Sequence, residues 1–260
     1  MRRFGIFALY AVLAWTPLLS AQGGKTEPKA GEEREFEIFK GVQMKFCWVP
    51  AGKSKLGEPE SKEEKEYETK KGFWLGKYEV TQGEWKKVMD AEPSKFKGAQ
   101  LPVESVSWDD CQEFLKKCKV AGLKLKLPHE DEWEYAYRGG LGNKQAFYWG
   151  DSLNGDKANC DGNYPYGTAT KGDYEAKTTE VGKYEKQAPH PWGLCDMSGN
   201  VLEWCDNLRS SGDSGRVYRG GSWYYYAWFC RSAFRYWNDA ALSINILGCR
   251  LALAPPKGGN

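Results

Sequence analysis

The sequence predicts an α+β domain with few regular elements and much ordered loop. Three observations carry that class. Short runs of loosely alternating apolar residues at 36–49 and 73–80 read as strands. Brief amphipathic stretches, each opened by a good capping residue, read as helices. Residues 141–190 are rich in Gly, Asn, Tyr and Pro with little periodicity, as a long, locally packed loop region would be. No linker divides residues 36–256, so a single domain is expected there.

The chain opens on a targeting pattern. Arg2 and Arg3 form a basic start, Phe4 to Leu19 is apolar, and Leu19-Ser20-Ala21 ends on a small residue. Residues 1–21 therefore read as a signal peptide cut before Gln22. A membrane anchor fits less well, because the apolar core is short and Pro17 interrupts its end. No Cys follows to accept a lipid, and no long apolar run occurs after residue 21. An exported protein is expected, in the periplasm, at the cell surface or secreted, and not transmembrane after signal removal. Residues 22–35, with Gly, Lys, Glu and Pro and little to bury, read as a disordered tether.

Charge and cysteines bound the function. The 37 basic and 35 acidic residues nearly cancel and form no basic block, which argues against nucleic acid as a partner. Cys47, Cys111, Cys118, Cys160, Cys195, Cys205, Cys230 and Cys249 make an even set suited to an oxidising compartment. Sequence alone does not choose their pairing. No CxxC pair occurs, and the two histidines are His129 and His190, so a metal cluster is a poor reading.

Within the domain, 36–49 reads as a hairpin turning near Lys40-Gly41, stopped by Pro50-Ala51-Gly52. The charge run at 58–71 reads as a solvated loop. Phe73 to Val80 reads as a strand. Thr81 with Glu84 is a capping box for a helix whose apolar side is Trp85, Val88 and Met89. Ser107 with Asp110 opens a second, with Trp108, Cys111, Phe114 and Leu115 as its stripe. The third spans Glu130 to Tyr137 and ends at Gly139-Gly140. Glu130 and Glu134 read as helix-start charges and a structural salt bridge rather than a catalytic pair.

From Arg216 the chain carries an abnormal density of aromatics between ordinary pieces. Arg219-Gly220-Gly221-Ser222-Trp223 leads in, and Gly248-Cys249-Arg250-Leu251 leads out. Tyr224, Tyr225 and Tyr226 are consecutive, and alternation forbids a strand from pointing all three into one core. An exposed patch of this kind marks a binding surface. Six aromatics, each burying about 150–250 Å², would cover about 900–1,500 Å², enough for one side of a standard protein interface. Trp223 and Leu247 are assigned to the core.

The motif order resembles the formylglycine-generating-enzyme (sulfatase-modifying factor) family over roughly residues 40–255. It includes Tyr78-Glu79-Val80-Thr81, Leu101-Pro102-Val103, Val106-Ser107-Trp108, Leu127-Pro128-x-Glu130-x-Glu132-Trp133-Glu134-Tyr135-Ala136, Gly193-Leu194-x-Asp196-Met197-Ser198-Gly199-Asn200-Val201-x-Glu203-Trp204 and Gly248-x-Arg250-Leu251. The resemblance implies a C-type-lectin-like fold. Its oxidases use two cysteines after Gly-Gly-Ser to hold copper. Here Tyr225 stands at the first position, and Cys230, at the second spacing, runs straight into Arg231-Ser232-Ala233. The histidine cluster of other relatives has no counterpart, and His129 sits where the family has a capping Thr or Ser. The resemblance thus implies no enzyme of the known kinds, with a formylglycine-generating oxidase as the alternative. It also implies a structural calcium at Asn200 and Glu203, against which stands a plain loop-tying role.

The aromatic segment further resembles the variable region of diversity-generating retroelement proteins, in which template adenines are mutated. Codons of the AAC type reach Tyr, Phe, Ile, Ser and Asn but not Trp. The variable region is expected at 216–253. Its expected ligand-binding residues are Tyr224, Tyr225, Tyr226, Trp228, Phe229, Phe234, Tyr236, Trp237, Asn238, Ser243, Ile244, Asn245 and Ile246, and the expected partner is a macromolecule, by preference protein. Arg219 to Trp223, Cys230 to Ala233, Arg235 and Leu247 to Leu253 are expected to be frame.

Overall fold

The computed structural model describes residues 27–142 and 144–254. The expected signal peptide lies outside them. Strand β1 (Glu33–Phe39) turns at Lys40-Gly41 into β2 (Val42–Val49), as the alternation predicted. Gly41 takes φ 72°, the left-handed value that makes the turn tight. Residues 31–35, expected to belong to a disordered tether, are ordered. Gly31 N–H donates to Trp48 O at 2.9 Å, and Glu33 opposite Cys47 begins the strand ladder. Backbone pairing to β2 orders this polar stretch without apolar burial of its own.

Strands β3 (Gly52–Leu56) and β4 (Lys65–Thr69) form a second hairpin where a solvated loop was predicted over 58–71. Lys53–Glu68 and Lys55–Glu66 pair charges across both strands, so the apolar alternation that would reveal it is absent. Tyr67 tucks against Tyr135 at 5.5 Å. Strand β5 (Phe73–Gly76) is shorter than the predicted run and buried throughout.

All three helices start where their caps predicted. In α1 (Gln82–Met89), Glu84 N–H donates to Thr81 Oγ1, and Thr81 N–H returns to Glu84 at 2.8 Å. In α2 (Trp108–Lys117), Ser107 and Asp110 exchange the same pair of bonds at 2.9 and 3.0 Å. In α3 (Glu130–Arg138), His129 Nδ1 accepts from Asp131 N–H, and Gly139 closes the helix at φ 56°. Trp85 stacks on Phe114 at 5.0 Å, so α1 and α2 pack through the predicted stripes. Thr81→Ala removes a cap that also holds the half-buried Glu84 carboxyl. It should cost about 1–2 kcal/mol, read as a lower urea midpoint at unchanged slope.

Strand β6 is Lys124–Lys126; β7 is Leu202–Leu208, β8 Arg216–Arg219, β9 Arg235–Asn238, β10 Leu247–Cys249 and β11 Ala252–Ala254. One sheet runs β1-β2-β5-β11-β6 and the other β10-β7-β8-β9. The last strand thus inserts between β5 and β6, closing the domain on its own beginning. Arg250 joins the two sheets. Its guanidinium donates to Gly76 O, Lys77 O and Cys195 O, and pairs with Glu203 of β7 at 2.6 Å. Both side chains are fully buried, and Trp133 of α3 donates to the other Glu203 oxygen. Between α3 and β7 the chain is largely loop, as predicted.

Candidate functional site

The aromatic segment is built on the β7-β8-β9 sheet and a 3-10 turn over Ala227–Cys230. In the β8–β9 register Tyr218 faces Tyr236 and Val217 faces Trp237. Alternation therefore puts Tyr236 and Trp237 on opposite faces. Tyr236 lies over Tyr218 at 5.8 Å, and Tyr225 lies over Tyr236 at 6.0 Å. Phe229 joins Tyr225 and Phe234 at 5.1 Å each, and Phe234 meets Tyr236 at 4.8 Å. These four rings are half-buried and make a floor. Burial pushes the Tyr225 hydroxyl up to about 12.

Above the floor lies an exposed layer. Tyr224 is 56% exposed, Trp228 45% and Tyr226 42%. Trp228 leans on Phe234 at 4.8 Å and covers the Arg231 guanidinium at 4.4 Å. Arg231 is buried and pairs with Glu58, so Trp228 rests on a fixed charge. Tyr226 stacks face to face on Tyr164 at 3.9 Å. Tyr164, 51% exposed, joins this layer and is not among the residues expected from the sequence. The signal for it was faint: an aromatic between Asn163 and Pro165 in a polar loop.

One predicted position, Ile246, is corrected, and a second, Trp237, lies apart from the others. Ile246 is only 8% exposed and packs in the main core, and its carbonyl accepts from Leu202 N–H. Trp237 is exposed but stands off the cluster, under Arg209 at 4.0 Å. Asn238 and Ser243 are exposed, and Ile244 and Asn245 are half-buried. Asn245 O accepts from Trp223 Nε1 at 2.9 Å, which ties that segment to the edge of the cluster. Trp223 and Leu247 are buried, as predicted.

A profile of the Sulfatase-modifying factor enzyme 1-like domain matches residues 36–255. The chain belongs to this family. It is 28% identical over 272 residues to Chaperone protein LppX of Paenibacillus barcinonensis, covering 86% of this chain and 89% of that one. It is 32% identical over 202 residues to the Formylglycine-generating enzyme of Streptomyces coelicolor, covering 69% of this chain and 60% of the enzyme. The chain therefore spans less than two thirds of that enzyme. The solved structure of Treponema denticola variable protein 1 superposes with TM-score 0.71 at 23% identity, covering 86% of this chain and 99% of that one. At that identity the likeness is one of fold, and the fold of this sulfatase-modifying factor domain is C-type-lectin-like.

The positions at which the family's oxidases hold copper are occupied differently here. Tyr225 presents a half-buried phenol, and its carbonyl accepts from Asp161 N–H at 2.9 Å. The Cys160 thiol, together with burial, holds Cys230 well above the usual thiol range. Glu130 pairs with Arg235, and Glu134 with Arg138 and Arg219, so both glutamates are structural, as predicted.

Asn200 and Glu203 do not fit the implied calcium. Asn200 Oδ1 already accepts from Thr179 N–H at 2.9 Å and Asn159 Nδ2 at 3.1 Å, and Asn200 Nδ2 donates to Glu79. Both Glu203 oxygens face the Arg250 cation, which would repel a second cation. These side chains tie loops to strands.

His190 gives the domain an acid-sensitive point. Its Nε2 bonds Tyr137 O at 2.9 Å, and Nδ1 accepts from Trp192 N–H at 3.0 Å, so the neutral ring is satisfied. Burial pushes its pKa down to about 4. An unfolded histidine titrates near ~6.5, so the stability present above that pH is lost as pH falls toward about 4, by up to about 3 kcal/mol. Asp196, raised to about 6 by burial, works in the opposite direction. The difference in acid sensitivity between wild type and His190→Gln isolates the imidazole: the variant should lose less stability between pH 7 and 4.5.

Proposed function

We propose that this chain is an exported ligand-binding display protein. Residues 1–21 direct export, and 36–256 form a fixed domain whose variable region, 216–253, carries an aromatic site. The supporting observation is the two-layer arrangement. Tyr225, Phe229, Phe234 and Tyr236 form a half-buried floor, and Tyr224, Tyr226 and Trp228 stand exposed upon it. Residues of the exposed layer vary at little cost to the fold, while the floor and frame hold their backbone. Rigid rings lose little entropy on binding and suit flat contact surfaces, so a protein is the favoured ligand.

Formylglycine-type oxidation is the second reading, because the family includes the enzymes. The test is incubation of the pure protein with copper, oxygen and a cysteine-containing sulfatase peptide. No loss of thiol mass is expected. Conversion of the cysteine to an aldehyde would overturn the display reading.

A further inference from the structure

We propose that Cys160 and Cys230 form a disulfide that fastens the variable segment to a scaffold loop. All eight cysteines are buried thiols, but they are not equivalent. Cys160 and Cys230 lie on two segments that a parallel bridge joins at Asp161 and Tyr226, and the Cys160 thiol is the leading influence on the Cys230 thiol. They share a small apolar cluster with Phe147, Leu153, Ala158 and Ala227, separate from the two larger cores. Within that cluster they are the only sulfur groups among the described residues.

Backbone bonds on both sides hold the pair in register. Asp161 N–H donates to Tyr225 O at 2.9 Å, and Ala227 N–H donates to Tyr164 O at 3.2 Å. Asn200 N–H donates to Asn159 O at 2.8 Å, fixing the residue before Cys160. Tyr137 Oη donates to Cys230 O at 3.3 Å. At Gly221, φ is 76°, and a Cβ there would collide with the Cys230 sulfur, so the glycine makes the space into which that sulfur points. The second thiol pair, Cys111 with Cys249, has Cys118 close by and so no unique partner. Cys160–Cys230 is the pair with a single solution.

The oxidation balances by thiol–disulfide exchange. A small disulfide oxidant accepts two electrons and is released as two thiols, while the protein forms one S–S bond and loses the two thiol protons to that oxidant. Both sulfurs are buried in the finished fold, so the bond closes as the loop and the turn dock. Cys230 lies in the frame, not among the expected variable positions. The staple would therefore hold the 3-10 turn under Tyr226, Trp228 and Phe229 whatever rings occupy the site.

The test is a peptide map. The full chain is refolded in a glutathione redox buffer, alkylated in denaturant without reduction, digested and analysed by mass spectrometry. The expected result is a linked peptide pair containing Cys160 and Cys230, abolished in Cys160→Ala and in Cys230→Ala. Recovery of both cysteines as alkylated thiols in the folded wild type, or as partners of other cysteines, would overturn the proposal. Thermal melting adds a second readout. A reductant should lower the wild-type midpoint by several degrees more than it lowers that of Cys160→Ala, since the bond closes a long loop. Equal shifts would contradict the staple. The map decides the linkage and ligand capture decides the display reading, so one can fail without the other.

Discussion

Replacing Tyr226 and Trp228 together by alanine should reduce ligand capture at least 100-fold while moving the thermal midpoint by no more than about 3 °C. Both rings are more than two-fifths exposed, and neither belongs to the main core. Buried aromatic anchors at interface centres each contribute about 2 kcal/mol or more, which for two exceeds a 100-fold change. Removing exposed side chains leaves no cavity. Tyr225 and Tyr236 behave differently. They pack on the main core beneath the site, so their loss should lower the midpoint sharply and confound any binding assay. A photo-crosslinking comparison of wild type and the double variant on intact host or partner cells would read capture, and calorimetry would read the fold. Retained capture by a folded double variant would contradict the account.

The largest loss of stability is expected at the Arg250–Glu203 pair. Glu203→Gln removes the one carboxylate paired directly with the buried guanidinium and leaves only the more distant Glu79 and Asp196, a loss that costs about 3–5 kcal/mol. For a domain of this size that is a fall in midpoint of about 10 °C. Arg250→Met should be worse. It removes a donor from the carbonyls of Gly76, Lys77 and Cys195 and the counter-charge of the carboxylate, and it parts the two sheets where this guanidinium joins them. Denaturant unfolding of both variants checks the order. A Glu203→Gln protein as stable as wild type would show that the pair is dispensable.

The local features were legible in the sequence, and the non-local ones were not. Thr81, Ser107 and His129 each cap a helix through a residue two or three positions on, so their roles could be read from adjacent letters. Alternation alone forbade one core from taking Tyr224, Tyr225 and Tyr226 together, and Tyr224 and Tyr226 are exposed with Tyr225 half-buried between them. The same alternation, applied to Tyr236 and Trp237, would have placed Trp237 on the other face. The β3–β4 hairpin was hidden because cross-strand charges replace apolar periodicity. Insertion of β11 between β5 and β6, and the stacking of Tyr164 on Tyr226, join residues far apart in the chain, and no local pattern encodes either. Ile246 was placed in the site because AAC-type codons reach Ile, whereas just before β10 its side chain packs in the core.

The division between frame and site is tested most directly by sequencing the DNA for residues 216–253 from many independent isolates. Substitutions should concentrate at the exposed Tyr224, Tyr226, Asn238 and Ser243, at template adenines, while the half-buried Tyr225, Phe229, Phe234 and Tyr236 should exchange only for other large side chains. Arg219 to Trp223, Cys230 to Ala233 and Leu247 to Leu253 should stay constant. Substitutions spread evenly across both sets, or an aromatic layer that never varies, would contradict a diversified binding surface.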